Sequence, residues 1–373
     1  MDEKTLYSLD SENGSKSSEP NYCTGDDGRV PSKKRKASIN CSEPPRKRQR
    51  CAIEPSEVTV EDVRAKGTKR KAITQSGPPP KRRRTETYNT NAGEPTNVSI
   101  SVRTSKEQFE AKYLQLRKLG EGGYGTVYAG ERKSDNLPVA IKRIPKADEK
   151  TRPVVINGET HMVPLEVILM QRVAGGAGSL GKHAAVSLLD WYDLGPEVLL
   201  VMERPVPCED LLTYLKKNLF LREDPAKKNI MKQLVEAANK MHSLGVFHRD
   251  IKAENVLLDL SSDVPRVRII DFGSACLDTE IPKGSFTGTP AYVPPEFYRR
   301  GTYEAGPSTV WQLGALLYEM VDSSFDTKKF LRKKITVNTM LSKDCQDLLK
   351  VCLTVDPQER GTLEQILLHP WFS

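Results

Sequence analysis

Large apolar side chains are scarce in the first third of this 373-residue chain: residues 1–105 contain 12 Leu, Ile, Val or Phe and no Trp. So little apolar surface cannot offset the entropy of ordering a backbone. A globular fold is thereby excluded for the front of the chain, and a disordered tail over 1–108 is expected. No apolar run reaches the roughly 20 residues that cross a bilayer. The acidic start, Met1-Asp2-Glu3, leads into no apolar core of a secretory leader, so a soluble chain without membrane contact is expected. The seven cysteines are odd in number and include no Cys-x-x-Cys pair. That argues against a disulfide framework or a zinc site and for a reduced, intracellular protein.

What the front of the chain does hold is positive charge. Residues 1–112 carry 23 Lys and Arg against 16 Asp and Glu, whereas 113–373 carry 34 against 33. The pI near 9.0 therefore belongs to the tail. Its basic segment is duplicated. Lys34-Arg35-Lys36-Ala37 returns as Lys69-Arg70-Lys71-Ala72, and Pro44-Pro45-Arg46-Lys47-Arg48 returns as Pro79-Pro80-Lys81-Arg82-Arg83, both at an offset of 35 residues. A solenoid is excluded because the unit has almost no apolar face to stack. The clusters read as a two-part signal for a nuclear import receptor, with the protein shared between nucleus and cytoplasm. The competing reading is nonspecific binding of nucleic acid or other anions. Sequence-specific DNA recognition is not expected, since no fold accompanies the charge. Ser38 and Thr85 each follow a basic run, and self-phosphorylation there would add roughly −2 charge to each cluster and weaken import.

From about Phe109 the composition turns globular, and roughly 260 residues suffice for two lobes around one cleft. The expected fold is α+β: a β-rich small lobe over 109–202, a hinge at 203–207 and a mainly helical large lobe over 208–373. Tyr113 to Leu119 alternates as a strand does and runs into Gly120-Glu121-Gly122-Gly123-Tyr124-Gly125-Thr126-Val127. Glycines let backbone amides approach phosphate oxygens. Alone this pattern is weak, but strand flanks and the trailing Val127 set it apart from a dinucleotide-binding turn. Val139-Ala140-Ile141-Lys142 then places an ammonium for the α- and β-phosphates at a strand end. Glu166, 24 residues on within Val163–Met170, sits on a predicted helix among apolar neighbours and is expected to face Lys142. Leu119, Val127, Ala140 and Leu257 are candidates to sandwich an adenine, with Met202 behind it and Glu203 at the hinge.

Ala226 to His242 has helical spacing, with Ile230, Leu234 and Ala238 on one stripe and Met231 and Val235 beside it. It leads into His248-Arg249-Asp250-Ile251-Lys252-Ala253-Glu254-Asn255, with Asp271-Phe272-Gly273 beginning 16 residues after Asn255. Phosphoryl transfer needs positioning and charge neutralisation more than covalent help. Asp250 is the candidate proton acceptor, Lys252 the cation for the γ-phosphate, and Asn255 and Asp271 hard oxygen ligands for Mg²⁺. An isolated Asp would be a turn or cap residue, and His248 is expected to be structural. A buried ion pair between Glu296 and Arg360 is also expected.

The hinge Glu203-Arg204-Pro205-Val206-Pro207 is the most specific element. Together with Gly-Glu-Gly-Gly-Tyr-Gly, Val-Pro-Leu-Glu-Val, Leu-Leu-Asp-Trp, the catalytic-loop segment and Pro294-Pro295-Glu296, residues 109–373 resemble the Pim family of serine/threonine kinases. The resemblance implies a two-lobed kinase, ATP and Mg²⁺ as cofactors, and a monomer. It also implies nonspecific serine/threonine transfer to substrates with basic residues before the acceptor, with no need for phosphate on Ser285 or Thr287. Thr289 matches the residue that ties the substrate platform to Asp250 and Lys252. Proline lacks an N–H; if Pro205 sits at the donor position, adenine loses one hydrogen bond, roughly 0.5–1.5 kcal/mol. Three departures stand out. Thr309 occupies the place, two residues before Trp311, where most kinases carry an Asp that braces the catalytic loop; the Pim family lacks it too. Of the family's arginine-reading carboxylates, Asp210 and Glu254 match, but Thr213 and Ala253 stand where Asp is common. The stretch Asp322–Asp326 is shortened. Two other classes compete with an active kinase: a pseudokinase scaffold, and a chromatin or nucleic-acid binder driven by the tail.

Overall fold

The structure, a computed structural model, describes residues 103–156, 158–218, 223–281 and 283–373. The duplicated basic clusters, Ser38 and Thr85 lie outside the described residues.

Folded chain begins before residue 109, which corrects the boundary expected from composition. Arg103 pairs with Asp190 at 3.0 Å and donates to the Tyr192 hydroxyl, and its carbonyl accepts from the Asp193 amide at 2.8 Å. Ser105 caps helix α1 (Lys106–Lys112) by accepting from the Gln108 amide. An average over composition hides Arg103, whose partners lie some 90 positions away.

Strands β1 (Tyr113–Gly122), β2 (Gly125–Arg132) and β3 (Leu137–Pro145) lead to a separate hairpin, β4 (Thr151–Ile156) and β5 (Glu159–Pro164). Helix α2 (Leu165–Ala174) follows, then β6 (Leu188–Asp193) and β7 (Glu197–Glu203). Five of these strands form an antiparallel sheet in the order β1-β2-β3-β7-β6. Helix α2 carries Glu166, as expected, and begins at Leu165. Val163 and Pro164 remain in β5, with Pro164 at ψ 133°, and the Leu165 amide bonds the Lys150 carbonyl at 2.7 Å. The sheet has two faces because side chains alternate. Val139, Ile141, Leu199 and Val201 pack with Phe109 and Tyr113 on one. Lys142, opposite Val127 and Leu200, and Ala140, opposite Met202, share the other.

The large lobe continues with β8 (Cys208–Asp210), α3 (Leu211–Lys217), α4 (Pro225–Ser243), β9 (Val246–Phe247), β10 (Val256–Asp259), β11 (Arg266–Ile269) and β12 (Cys276–Leu277). Helices α5 (Pro295–Arg300), α6 (Ala305–Val321), α7 (Thr327–Leu331), α8 (Lys343–Cys352) and α9 (Leu363–Leu367) complete it. The expected stripe on α4 is fully buried at Ile230, Met231, Leu234, Val235 and Ala238. Its N-terminus is capped by Asp224, which accepts from the Lys227 amide. Helix α6 is buried from Ser308 through Tyr318. It crosses α8 at Gly314, where a Cβ would lie 2.6 Å from that of Cys352, so the crossing admits no larger residue. Glu296 and Arg360 form the expected pair, two-pronged at 2.8 and 3.0 Å and buried at both ends.

Candidate active site

Strand β3 ends its apolar run at Lys142, whose side chain is 5% exposed. An ammonium so buried requires compensating carboxylates. Glu166, in the first turn of α2, supplies both oxygens at 2.7 and 2.9 Å, and Asp271 supplies one at 2.8 Å. Burial acts to lower the Lys142 pKa, but the charges of Glu166 and Asp271 outweigh it and hold the ammonium above its ordinary value. Burial acts on Asp271 in the opposite sense, and Lys142 again prevails, keeping that carboxyl below the usual range. Nearby Glu149 is pushed up to about 7, first by burial and then by the Glu166 charge. Glu166 and Asp271 thus share one ammonium.

The catalytic-loop segment folds between β9 and β10. Asp250 Oδ1 accepts from the Thr289 hydroxyl at 2.6 Å; Oδ2 accepts from Asn255 Nδ2 at 3.1 Å and lies 3.0 Å from Lys252 Nζ. Asn255 also donates to the Asp250 carbonyl, which leaves its own Oδ1 as an acceptor. Pairing of β10 with β11 sets Val256 opposite Ile269, and the Ile270 amide bonds the Asn255 carbonyl. This register brings Asn255 beside the segment that ends in Asp271. His248 is buried, donates from Nε2 to the Ile270 carbonyl and lies edge-on against Phe272 at 5.0 Å. Burial lowers its pKa, in keeping with a neutral, structural ring.

The glycine turn joins β1 and β2 through Gly123 and Tyr124, with Gly122 opposite Gly125. Gly125 has φ +116°, and a Cβ there would lie 2.2 Å from the Arg143 carbonyl oxygen, so the fold itself requires this glycine. At Gly120, Gly122 and Gly123 an added Cβ would meet no protein atom. Packing does not demand glycine there, whereas close approach of a ligand would. Glu121 points away to an exposed pair with Lys118. The Tyr124 ring lies against Gly273 and 5.8 Å from Lys142 Nζ, and its hydroxyl accepts from Ser274 at 2.9 Å. Thr126, beside it on β2, is half-buried.

Val127, Ala140 and Met202 share the sheet face of Lys142. Leu119 on β1 is 40% exposed, and Leu257 on β10 is half-buried opposite Asp210. Glu203 ends β7 at the start of the hinge segment. Its side chain turns away from this face: Oε1 accepts from the Gly181 amide and Oε2 from Ser187, each at 3.1 Å, with Arg268 Nη2 at 3.4 Å. Only its backbone remains for a hinge contact, because the Gly181 and Ser187 amides, with Arg268 beside them, hold the carboxylate. Asp210 is likewise committed, capping α3 by accepting from both the amide and the hydroxyl of Thr213 at 2.8 Å. Asp326 in the shortened stretch caps α7. Glu254 is exposed.

Two contacts could not be anticipated from spacing. The Arg249 guanidinium, 2% exposed, donates to the carbonyls of Ser274 and Ala275. Gln312 on α6 bonds the backbone on both sides of Asp250. The one sequence signal for it is a polar residue inside an apolar helix. A cavity of about 420 Å³ between α4, β11 and residues 181–185 contains none of these groups. A second, of about 310 Å³, is lined by Glu121, Gly122, Gly123, Gly125 and Thr126 of the glycine turn together with Arg143 and Glu197.

Residues 113–372 match the protein kinase domain family. Serine/threonine-protein kinase pim-2 of Danio rerio is 40% identical over 277 residues, covering 73% of this chain and 88% of that protein. Serine/threonine-protein kinase prk-2 of Caenorhabditis elegans is 34% identical, covering 71% and 59% respectively. Sperm motility kinase 2B of Mus musculus is 30% identical, covering 72% and 53%.

Proposed function

The chain belongs to the protein kinase family as a Pim-like serine/threonine kinase, and on that premise we propose that it moves the γ-phosphoryl group of ATP to Ser or Thr hydroxyls in basic segments of protein substrates. The observation that carries this reading is the bracing of Asp250, both of whose carboxylate oxygens are held by donors from Thr289, Asn255 and Lys252. In this reading Asp250 orients the substrate hydroxyl and takes its proton as the new O–P bond forms and ADP departs. Lys252 stands beside it to neutralise the transferring group. Lys142, kept charged and aimed by Glu166, holds the α- and β-phosphates beneath Gly120–Val127. Leu119, Val127, Ala140, Met202 and Leu257 enclose the adenine.

Protein kinases use ATP, usually with Mg²⁺. The donor set suits that ion: Asn255 and Asp271 offer hard oxygens. Mg²⁺ characteristically takes one or two protein ligands and completes its shell with phosphates and water. When bound it neutralises charge on the phosphate oxygens. Activity without phosphate on Ser285 or Thr287 belongs to the same reading; of the buried Arg249 guanidinium, Nε and Nη2 have backbone carbonyls as partners, and Nη1 has none among the described residues.

With Asp210 tied into the α3 cap, Glu254 is left as the exposed carboxylate for a substrate arginine. Glu254→Gln is expected to lower kcat/KM about 10-fold on an arginine-bearing Ser peptide, the worth of one charge-assisted hydrogen bond. A peptide with Ala in place of Arg should be phosphorylated equally by both proteins. Equal losses on the two peptides would remove Glu254 from substrate recognition.

The duplicated basic clusters support a further part of the proposal: binding of an import receptor and a share of the protein in the nucleus. Deleting residues 1–102 should shift a fluorescent fusion to the cytoplasm. An unchanged distribution would refute the import role, and salt-sensitive retention on nucleic acid would point to the competing reading. Among the described residues no helix is long and apolar enough to cross a membrane.

A further inference from the structure

Thr309 does not take the place of the absent bracing Asp. Its hydroxyl bonds His242 Nε2 at 2.9 Å, away from the catalytic loop. The backbone on either side of Asp250 nevertheless has a partner, and it comes from the same helix one turn later. Gln312, three residues beyond Thr309 and 1% exposed, shares that side of α6. Its Oε1 accepts from the Ile251 amide at 3.2 Å, and its Nε2 donates to the Arg249 carbonyl at 2.7 Å. The amide orientation follows from chemistry: an N–H needs an acceptor and a carbonyl needs a donor, so the reverse orientation would break both bonds.

The carbonyl that Gln312 holds belongs to a residue in an unfavourable conformation. Arg249 has φ 69°, in the left-handed region that side chains other than glycine rarely adopt. Such a conformation persists only where its surroundings over-determine it. The guanidinium is anchored on Ser274 and Ala275 and the carbonyl on Gln312. One side-chain amide therefore fixes the peptide units both before and after Asp250, and with them the direction in which its Cα–Cβ bond points.

We propose that Gln312 is a positioning residue for Asp250, doing through a neutral amide what a carboxylate at position 309 does in most kinases. The inference rests on the reading of Asp250 as proton acceptor. A carboxylate at the absent position could only accept; the amide both accepts and donates, and so grips two backbone groups with no buried charge to compensate.

The test compares Gln312→Met, which keeps the length and removes both bonds, with Gln312→Glu, which keeps an acceptor for Ile251 but sets an oxygen against the Arg249 carbonyl. Full-length proteins are assayed for kcat, KM for ATP and for a basic Ser peptide, nucleotide affinity and Tm. Gln312→Met should lower kcat about 10- to 100-fold, with both KM values within about 3-fold, since small misplacement of a catalytic group acts on the chemical step. Gln312→Glu should lose as much or more, and it keeps the test open if the Met variant does not fold. In the Asp250→Asn background, Gln312→Met should add less than 3-fold, because Gln312 acts through Asp250. An unchanged kcat in Gln312→Met, a loss matched by a fall in the nucleotide-binding fraction, or full additivity with Asp250→Asn would each overturn the inference. If instead Asp250→Asn itself keeps activity, the reading of Asp250 fails first, and the two failures are told apart.

Discussion

Asp250→Asn is expected to lower kcat at least ~10²-fold with little change in Tm or nucleotide affinity. Loss of a positioned general base costs about that much, and the substitution removes the proton acceptor while preserving shape. The hydrogen bonds around the side chain can be re-formed. With its oxygen towards Asn255 Nδ2 and Lys252 Nζ, the new amide presents its NH₂ group to Thr289, whose hydroxyl can turn to accept. Lys252 then lacks a charged partner, which adds to the loss in the chemical step. Radiolabelled transfer to a basic Ser peptide measures the effect, with Tm as the control for folding. Equal incorporation by wild type and variant would take Asp250 out of its assigned role.

The second large effect concerns stability rather than chemistry. Glu296→Gln should destabilise the large lobe by about 3 kcal/mol, the lower end of what breaking a buried ion pair costs. Arg360 keeps its charge and its burial in the variant. Its remaining partners, the carbonyls of Pro307 at 2.6 Å and Thr354 at 2.9 Å, soften the loss without replacing a two-pronged carboxylate. For a domain of this size about 3 kcal/mol corresponds to a fall in Tm of roughly 10 °C. Asp135→Asn, which breaks the exposed pair with Arg132, is the comparison and should move Tm by less than about 2 °C, since exposed pairs contribute little. If both variants melted alike, the weight given to burial at Glu296 would be wrong.

These two residues stand for what spacing could reveal. Asp250 lies in an eight-residue run whose residue types describe a reaction, and Lys142, Glu166 and Asp271 each stand in a motif that names a partner. The structure brings those three within hydrogen-bonding distance. The α4 stripe and the apolar α6 were legible for a related reason, since a helix buries residues at a period its own geometry sets. The start of the folded chain was not legible. Arg103 contributes one charge to a composition, and only the position of Asp190 turns it into an anchor.

Residue chemistry and local periodicity, both carried by short stretches of chain, were thus enough to specify a two-lobed kinase and its reacting groups. Packing decided where polar side chains spend their hydrogen bonds. Glu203 took the amides of Gly181 and Ser187, Asp210 turned to its own helix, and Gln312 took up the backbone around Asp250 from 61 residues away. The physical reason is that a buried polar group bonds whatever complementary group the fold sets within about 3 Å of it, and that neighbour is chosen by how helices and strands cross, which no spacing along the chain encodes.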